Sequence, residues 1–449
     1  MANLFRLRKG LDINLAGVAE KKKIQLSSNG RYALLPAAFE GVTPKVVVKE
    51  GDKVKAGEAL FINKNYPEMK FASPVSGTVS KVERGERRKV LSVQIDADKE
   101  QEFADFGKKD VNGMSGDEVK KALLEAGLFG FINQLPYAVV TTPDTHPKAI
   151  FVSALRDKPL AADFEYELEG QEDAFQTGLT ALSKMATTYL GVGVKQTSRA
   201  LLEAKDVEVN VFDGPCPAGN VGVQVNHISP VNKGEVVWTV EPTAVIFFGR
   251  LFLTGRVDLH RTVALVGSEV IRPQYADMLV GQDLATLLSN SYDTSHKVRI
   301  IDGNVLTGVP TTKDSYLRAH TSEITVIPEG NDADEFVGWI MPRLGQFSLN
   351  KSYFSWLMGK KSYRLDARIK GGQRHMIMSG EYDKVMPMDI LPEYLIKAII
   401  AGNIDKMEQL GIYEVAPEDF ALAEFVDSSK LELQRIVRAG LDNLRKENA

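Results

Sequence analysis

The chain of 449 residues contains one cysteine, Cys216, and only six histidines. An iron–sulfur cluster needs about four thiolates, and a structural zinc site needs three or four Cys or His ligands. No two histidines lie closer than 24 residues apart, so no local histidine motif for zinc exists. The sequence therefore predicts no metal centre and no intramolecular disulfide, and the lone thiol favours a reducing compartment.

A strong charge of one sign and long apolar runs are also missing. The 55 basic and 59 acidic residues give a net charge of −4, so we expect no nucleic-acid partner. The most apolar stretch, residues 244–254, is interrupted by Gly249 and Arg250 and falls short of the roughly 18 residues of a membrane-spanning helix. The N-terminal residues do not resemble a secretory signal. We expect a cytoplasmic chain that reaches a membrane only through partners.

Short β runs separated by turn residues fill residues 31–96. A Gly-Asp turn at Gly51 and the stretch Ser73-Pro-Val-Ser-Gly77 resemble the two halves of a lipoyl/biotinyl carrier domain. A carrier would present a lysine at the hairpin tip between the halves, and Met69-Lys70 resembles the Met-Lys pair that carries biotin. Counting back from Gly77, however, places the tip near residues 65–67. We therefore favour a structural sandwich over a swinging-arm carrier.

Residues 101–145 are expected to form a helical linker and an apolar loop. The helix starts after Ser115, with acidic residues in its first turn, and stops at Gly127. The loop, residues 128–137, is apolar and aromatic. Strands and helices then alternate from residue 146 to residue 258, with strands at 149–153, 188–194 and 207–212 and helices at 172–184 and 198–204. Such alternation predicts a parallel sheet in a Rossmann-like α/β domain.

The rest of the chain divides into three predicted segments. Residues 259–330 form a small β-α-β module with a helix at 281–288 and a strand at 298–306. Residues 331–386 are predicted to be a β-rich return segment, and residues 387–449 to be a helical domain. Residues 1–100 hold the N-terminal arm and the β sandwich. The predicted fold class is thus α/β and α+β, in several domains.

Nucleotide-binding motifs are incomplete in this sequence. No glycine-rich turn follows the strand at 149–153, and Gly191-Val-Gly193 lacks the third glycine of a dinucleotide site. Residues 214–219 have P-loop glycine spacing, yet Asn220 and Val221 replace the required Lys and Ser/Thr. Pro215 and Pro217 also remove two backbone donors. We therefore assign no cofactor-binding and no catalytic residues, and we interpret the turn as a rigid structural holder of Cys216.

Six ordered motifs carry a family resemblance. They are Lys9-Gly-Leu-Asp12, Ser73-Pro-Val-Ser-Gly77, Val211-Phe-Asp-Gly-Pro-Cys-Pro-Ala-Gly219, Phe248-Gly-Arg-Leu-Phe-Leu-Thr-Gly255, Ile301-Asp-Gly-Asn-Val-Leu-Thr-Gly308 and Gly380-Glu-Tyr-Asp-Lys-Val-Met-Pro-Met-Asp389. Together they resemble the family of A subunits of the bacterial sodium-translocating NADH:quinone reductases (Na+-NQR), nearly from end to end.

The resemblance implies a peripheral subunit on the cytoplasmic face of the bacterial inner membrane. Its partners would be the other five subunits of a complex that passes electrons from NADH to ubiquinone and exports sodium, and ubiquinone would be the substrate of that complex. Residues 259–330 would be a β-grasp (SLBB-like) module. The chain would hold no tightly bound flavin or cluster and would not be catalytic alone. The alternative is an NADH- or FMN-binding dehydrogenase subunit related to complex I and Rnf subunits.

The family is implicated in quinone binding, and two apolar stretches suit a quinone headgroup. A headgroup needs a flat apolar slot and one or two hydrogen-bond donors. The candidate residues are Leu35, Phe39, Phe129, Phe131, Asn133, Gln134, Pro136 and Tyr137. Plain packing between domains is the alternative for the same residues.

Three basic clusters occupy residues 6–9, 21–23 and 84–89. Such runs usually form a solvated face. In a peripheral subunit they could instead contact anionic lipid or acidic loops of membrane partners.

Overall fold

The computed structural model describes residues 3–331, 343–349, 353–358 and 361–448. Its first two strands, β1 (Asn3–Arg6) and β2 (Glu20–Ile24), pair with strands from later parts of the chain. β1 lies at the edge of a seven-stranded sheet, and β2 lies at the edge of a six-stranded sheet. The N-terminal arm, which the sequence placed with the first domain, thus completes the two sheets that follow.

Residues 31–97 form two packed β sheets. The strands are β3 (Arg31–Leu34), β4 (Pro44–Val46), β5 (Lys53–Val54), β6 (Ala59–Asn63), β7 (Lys70–Ala72), β8 (Gly77–Arg84) and β9 (Val90–Ala97). One sheet has the order β3-β9-β8-β5 and the other β4-β6-β7. Lys70 begins β7, so the tip of the β6–β7 hairpin lies between Asn63 and Lys70, as expected. Tyr66 at this tip donates a hydrogen bond to Asp144 at 3.1 Å, which fixes the hairpin to the rest of the molecule.

The linker contains the predicted helix, α1 (Gly116–Glu125). The Ser115 hydroxyl accepts from the Glu118 N–H, and the Glu118 carboxylate accepts from the Ser115 N–H. This reciprocal capping box satisfies two amides that the helix leaves free. The chain leaves the helix at Gly127, whose φ of +70° suits glycine. Both predicted helix boundaries are confirmed.

The stretch predicted as an apolar loop is partly a strand. β10 (Ile132–Leu135) pairs antiparallel with a strand of the seven-stranded sheet, and β11 (Val139–Val140) extends that edge. Gly130, just before β10, lies so close to Phe71 that an added Cβ would be 2.4 Å from its ring. The aromatic residues of this stretch are therefore packed between the β sandwich and the sheet.

The α/β domain supplies the other strands of the seven-stranded sheet. Its elements are β12 (Ala149–Ser153), α2 (Phe164–Leu168), α3 (Glu172–Met185), β13 (Thr188–Gly193), α4 (Arg199–Leu202), β14 (Glu208–Asp213), α5 (Val221–Ile228), β15 (Val237–Val240) and α6 (Pro242–Thr254). The predicted strand 149–153 is confirmed residue for residue. The helix predicted at 172–184 starts where expected and extends one residue further, to Met185.

The strand order of this sheet is β1-β14-β13-β12-β15-β10-β11. The strands from β1 to β15 in this order are parallel, whereas β10 is antiparallel to both of its neighbours, β15 and β11. The chain moves outward from β12 through β13 to β14 and then returns to place β15 on the other side of β12. Such a reversal opens a crevice at the carboxyl ends of the strands, which is where ligands bind in open α/β sheets.

The next module contains β16 (His260–Val266), β17 (Gln274–Leu279), α7 (Leu284–Leu288), β18 (Val298–Asp302), β19 (Val309–Thr311) and β20 (Glu323–Pro328). Its sheet has the order β19-β18-β20-β16-β17-β2. The predicted strand 298–306 ends early, at Asp302. The reason is Asn304, whose side-chain oxygen accepts from the N–H groups of Leu306 and Thr307 and turns the chain.

The C-terminal part is helical, as predicted. It contains α8 (Tyr382–Val385), α9 (Pro392–Ile400), α10 (Ile404–Gln409), α11 (Ala421–Val426) and α12 (Leu433–Glu447). The predicted β-rich segment 331–386 does not hold in its described residues, which contain a 3-10 helix, Phe354–Met358, an isolated bridge and α8 but no strand. Backbone groups there bond to other segments instead: Ala367 N–H donates to Pro328, and Arg374 N–H donates to Ser429.

Candidate functional site

A cleft of about 390 Å³ opens at the carboxyl ends of β12 and β15. One wall comes from the loop after β12 and from the starts of α5 and α6. The other wall comes from the turn after β18 and the segment before β20, and Glu418 of the helical domain closes one side. The cleft thus lies where three parts of the chain meet, at the reversal of strand order.

The loop after β12 places charged side chains in the cleft. Arg156 donates to the Glu167 carboxylate at 2.8 Å and to the Thr243 hydroxyl at 2.8 Å, and Thr243 in turn donates to Glu167. Lys158 donates to Glu418 at 2.7 Å. These pairs hold the loop against α6 and the helical domain. They also neutralise two of the cations that line the cleft.

Carboxyl groups at the start of α5 are strongly desolvated. Asp157 accepts from the Gly219 N–H at 2.7 Å, and burial raises the pKa of Asp157 to about 6. Asp419 accepts from the Ala416 N–H at 2.8 Å, and burial, followed by the charge of Glu418, raises the pKa of Asp419. A Cβ on Gly222 would lie 2.5 Å from Asp419, so this carboxyl group lies directly at the first turn of α5.

Two buried polar atoms that face the cleft have no hydrogen-bond partner. Asn220 donates to Glu418 and Asp419, but its Oδ1 accepts nothing. Asp302 accepts from the Thr321 hydroxyl through Oδ1, whereas its Oδ2 has no partner. Both side chains are at least 95% buried, and burial raises the pKa of Asp302. An unsatisfied buried polar atom costs about 1–3 kcal/mol, so a ligand that supplied the missing bonds would be stabilised here.

An aromatic cluster lies behind one wall. His320 lines the cleft, and its ring makes edge contacts with Phe39 and Phe131 at centroid distances of 5.8 and 5.4 Å. Phe39 and Phe131 also contact each other edge to face at 5.6 Å. His320 Nδ1 lies 3.4 Å from the Glu241 carboxylate without the alignment of a hydrogen bond. His320 is thus the one ring of this cluster that lines the cleft, and two buried phenylalanines support it from behind.

Of the eight predicted quinone residues, only Asn133 lines the cleft. Asn133 and Gln134 are adjacent in β10, and side chains of adjacent strand residues point to opposite faces. Gln134 is buried on the other face and accepts from Thr141 at 2.9 Å. Asn133 and Gln134 therefore do not converge on one ligand.

The other predicted residues lie in the core or near α12. Phe39 and Phe131 are buried in the aromatic cluster, and Phe129 is buried against Trp238 at 5.6 Å. Tyr137 accepts from Arg438 through its carbonyl and bonds to Asn448 through its hydroxyl. The remaining two do not line the cleft: Pro136 is buried beside β10, and Leu35 is half-buried before a 3-10 turn.

The sequence reasoning missed most of the polar lining. Arg156, Asp157 and Lys158 directly follow the strand that was predicted correctly, and Asp302 ends the next module's strand. Charged residues immediately after a predicted parallel strand were the available signal, because the carboxyl ends of such strands form ligand sites. His320 gave no comparable signal, since it reaches the cleft from a separate module.

A second polar group lies away from the cleft. Glu269, Asp293 and His296 bring their ligand atoms within 4.8 Å of one another. Arg364 donates to both oxygens of Glu269, at 2.6 and 2.8 Å. The guanidinium thus occupies the position that a cation would take, and we interpret this group as an ion cluster that holds residue 364 on the six-stranded sheet.

Cys216 lies in the proline-containing turn between β14 and α5. The Cys216 N–H donates to Asp12 at 3.0 Å, and the Cys216 carbonyl accepts from Leu11. Its side chain is 1% exposed, and burial raises the pKa of the Cys216 thiol. A buried, protonated thiol is a weak nucleophile, which agrees with the predicted structural role. In the part of the chain that the structure describes, no helix has the length and hydrophobicity to cross a bilayer.

Three family models match the chain between residues 5 and 313. Residues 5–98 match the family described as "NqrA N-terminal barrel-sandwich hybrid domain", residues 114–257 match "NqrA second alpha/beta domain", and residues 262–313 match "NQRA C-terminal domain". The molecule is therefore a mixed α/β multidomain protein with an N-terminal barrel-sandwich domain.

Full-length relatives match from end to end. The chain is 33% identical to the A subunit of the Na(+)-translocating NADH-quinone reductase of Neisseria meningitidis serogroup B, over 99% of this chain and 100% of the relative. It is 35% identical to the corresponding protein of Vibrio atlanticus, over the same shares of the two chains. A solved NAD+-reducing [NiFe]-hydrogenase superposes on this chain with a TM-score of 0.38 and 10% identity. The superposition covers 77% of this chain and 67% of the hydrogenase chain, and at this TM-score it supports no argument. On the full-length matches, the chain belongs to the family of Na(+)-translocating NADH-quinone reductase A subunits.

Proposed function

We propose that this chain is a peripheral subunit of a sodium-translocating NADH:quinone reductase complex, on the cytoplasmic face of the inner membrane. It contributes to ubiquinone binding and carries no flavin or iron–sulfur cluster of its own. The ubiquinone headgroup occupies the cleft at the carboxyl ends of β12 and β15. The chain alone is not catalytic, because the electron-carrying groups belong to its partner subunits.

The charge of the cleft carries the proposal. Its lining includes five carboxyl groups, those of Asp157, Glu241, Asp302, Glu323 and Glu418. Three permanently basic side chains line it, those of Arg156, Lys158 and Arg318. A phosphate-bearing ligand would meet an excess of negative charge, whereas a neutral quinone headgroup would not. The volume also falls within the roughly 300–1,000 Å³ of small-molecule sites.

The hydrogen-bonding groups suit a ligand with two carbonyl oxygens. Asn133 can donate through its amide from the β10 side. Across the cleft, Asp302 Oδ2 has no partner, and burial raises the pKa of Asp302, which is the direction that makes its carboxyl group a hydrogen-bond donor to a second carbonyl. The ring of His320, backed by Phe39 and Phe131, would provide the flat wall for the headgroup.

The test uses adjacent residues of β10 as a matched pair. In the intact complex, Asn133→Ala should raise the apparent KM for ubiquinone by about tenfold, the loss of one hydrogen bond to a bound ligand. Gln134→Ala, on the opposite face of the same strand, should leave KM unchanged. A photoreactive ubiquinone should label peptides around Asn133 and His320. Equal effects of the two substitutions, or labelling confined to other regions, would exclude the cleft as the quinone site.

A nucleotide-binding subunit is the second candidate, because the N-termini of α5 and α6 both face the cleft and helix N-termini attract phosphates. Each of these helix starts already has a carboxyl group beside it, Asp419 at α5 and Glu241 at α6. Titration of the purified chain with FMN and NADH separates the candidates. Tight binding of either, or flavin absorbance in the purified chain, would favour the nucleotide function.

A further inference from the structure

One segment of the chain is strongly basic. Residues 343–374 contain eight Lys or Arg and a single acidic residue, Asp366. The eight are Arg343, Lys351, Lys360, Lys361, Arg364, Arg368, Lys370 and Arg374. The chain as a whole has a net charge of −4, so this concentration is local. The same segment also contains five aromatic residues, among them Tyr353 and Trp356.

Exposed apolar side chains concentrate in the same part of the molecule. Among the described residues, 21 large apolar side chains are well exposed, and 11 of them lie between residues 344 and 400. They are Leu344, Phe354, Trp356, Leu357, Met358, Ile369, Ile377, Met378, Leu391, Tyr394 and Ile400. About half of the exposed apolar side chains thus come from a small part of the chain, which marks an interaction surface.

Two of these side chains, Ile369 and Ile400, lie in adjoining clefts. A shallow cleft is lined by Ile369, Lys370, Arg374 and Leu431. A neighbouring cleft is lined by Arg374, Lys397, Ile400 and Leu431. The two clefts share Arg374 and Leu431, so the basic segment and the outer side of α9 adjoin. We call this surface the basic apolar face, defined by Ile369, Lys370, Arg374, Lys397 and Ile400.

Helix α9 shows that the face is uncovered. Leu395, Ile396 and Ile399 are buried against the helical domain, whereas Leu391, Tyr394 and Ile400 point outward and are each more than half exposed. The outer side of the helix thus combines exposed apolar side chains with Lys397. Exposed apolar side chains that are grouped in this way are typical of an interaction surface.

The 3-10 helix Phe354–Met358 belongs to the basic segment, and its flanking residues are held in place. The Tyr353 N–H donates to Ser348, and Lys361 donates to the Leu344 carbonyl at 2.6 Å. Nearby, the Phe347 ring packs against Tyr363 at 5.5 Å and Phe425 at 5.9 Å. The exposed side chains of Trp356 and Leu357 are thus presented by an anchored segment.

We infer that the basic apolar face docks directly on an anionic phospholipid surface. The ammonium groups of lysine and the guanidinium groups of arginine attract anionic headgroups. Trp, Tyr and aliphatic side chains partition into the interfacial layer of the bilayer. Lysine, which is depleted at protein–protein interfaces, supplies two of the three basic residues of the face. A lipid surface therefore fits this composition better than a protein partner. Docking of this kind would hold the chain on the bilayer in addition to its contacts with other subunits, and it rests on the proposed peripheral location.

The test measures sedimentation of the full-length chain with lipid vesicles. Vesicles of phosphatidylcholine mixed with phosphatidylglycerol should bind the chain, vesicles of phosphatidylcholine alone should bind it much more weakly, and added salt should release it. Arg374→Gln with Lys397→Gln should weaken binding to the anionic vesicles roughly thirtyfold, the effect of two charges near the surface. Ile369→Ser with Ile400→Ser should also weaken binding, with the charges intact.

Lys45→Gln with Lys53→Gln is the matched control. It removes two exposed positive charges from β4 and β5, outside the face and outside the three basic clusters of the sequence, and should leave vesicle binding unchanged. An equal loss in this control would mean that binding reflects net charge alone and would overturn the inference. The inference also fails if the chain ignores anionic vesicles while Arg374→Gln with Lys397→Gln prevents docking to membranes that contain the other subunits. That result would assign the face to a protein partner and would leave the proposed function intact.

Discussion

The cleft and the basic apolar face differ in how their charged side chains are paired and how their apolar side chains are buried. In the cleft, charges of both signs are paired within the chain, and the aromatic residues behind it are buried. Lys158 contacts Glu418 and Arg156 contacts Glu167 at hydrogen-bond distances. On the face, basic residues outnumber acidic ones, and apolar side chains remain in contact with water. The cleft is a preformed cavity with two unsatisfied polar atoms, Asn220 Oδ1 and Asp302 Oδ2, whereas the face is open and exposes apolar side chains.

This difference separates two kinds of binding. A preformed cavity with fixed polar groups selects a small ligand by shape and hydrogen bonds. An open face of basic and apolar side chains binds a large surface through charge and the burial of apolar groups. Such binding does not require a ligand of defined shape. Substitutions in the cleft should therefore act on stability or ligand affinity, whereas substitutions on the face should act on attachment alone.

The largest effect is expected for Phe131→Ala behind the cleft. Phe131 is 3% exposed and contacts Phe39, Phe247 and His320 edge to face. Truncation would leave a cavity and should lower the free energy of unfolding by about 3–5 kcal/mol. Urea unfolding of the purified chain and of the variant measures this difference in the free energy of unfolding. Loss of quinone affinity with unchanged stability would instead mean that Phe131 belongs to the binding slot, as the sequence suggested.

Sequence reasoning succeeded where the signal was local. The strand at 149–153 and the helix start at Ser115 depend on a short apolar run and on a capping pattern, and both are observed. It failed where pairing partners lie far away in the chain. β1 pairs with β14 and β2 with β17, and neither pairing leaves a trace in the local sequence.

The candidate site was predictable only in part for the same reason. The aromatic stretch 128–137 was recognised as unusual, but its burial arises from packing against Phe71 and Trp238, which the local pattern does not reveal. The cleft needs residues from three modules, so its composition follows from the tertiary fold. What the sequence did offer was the position of Arg156 just after a predicted strand.

A smaller effect is expected from the titration of Asp157 in the cleft. Its pKa is raised from the ordinary value of 3.8 to about 6 in the folded chain. Between these values the folded state binds more protons than the unfolded state, so stability falls as the pH rises through this window. Asp157 should therefore lower the free energy of unfolding by about 1 kcal/mol between pH 5 and pH 7.5.

Asp157→Asn should remove this contribution. The difference in urea midpoint between the variant and the parent chain, measured at both pH values, isolates it from other titrating groups. The variant should gain stability relative to the parent as the pH rises. An unchanged difference across the two pH values would mean that Asp157 titrates normally and that the cleft is better hydrated than its geometry indicates.

The smallest effect on stability is expected on the outer side of α9. Ile400 is 57% exposed, so Ile400→Ser should change the free energy of unfolding by no more than about 0.5 kcal/mol. Leu395, on the inner side of the same helix, is fully buried, and Leu395→Ala should cost about 2–5 kcal/mol. Because both substitutions lie in one helix, helix propensity does not explain the contrast. If Ile400→Ser destabilised the chain as much as Leu395→Ala, the outer side of α9 would be covered by the chain itself and would no longer be free to meet a membrane.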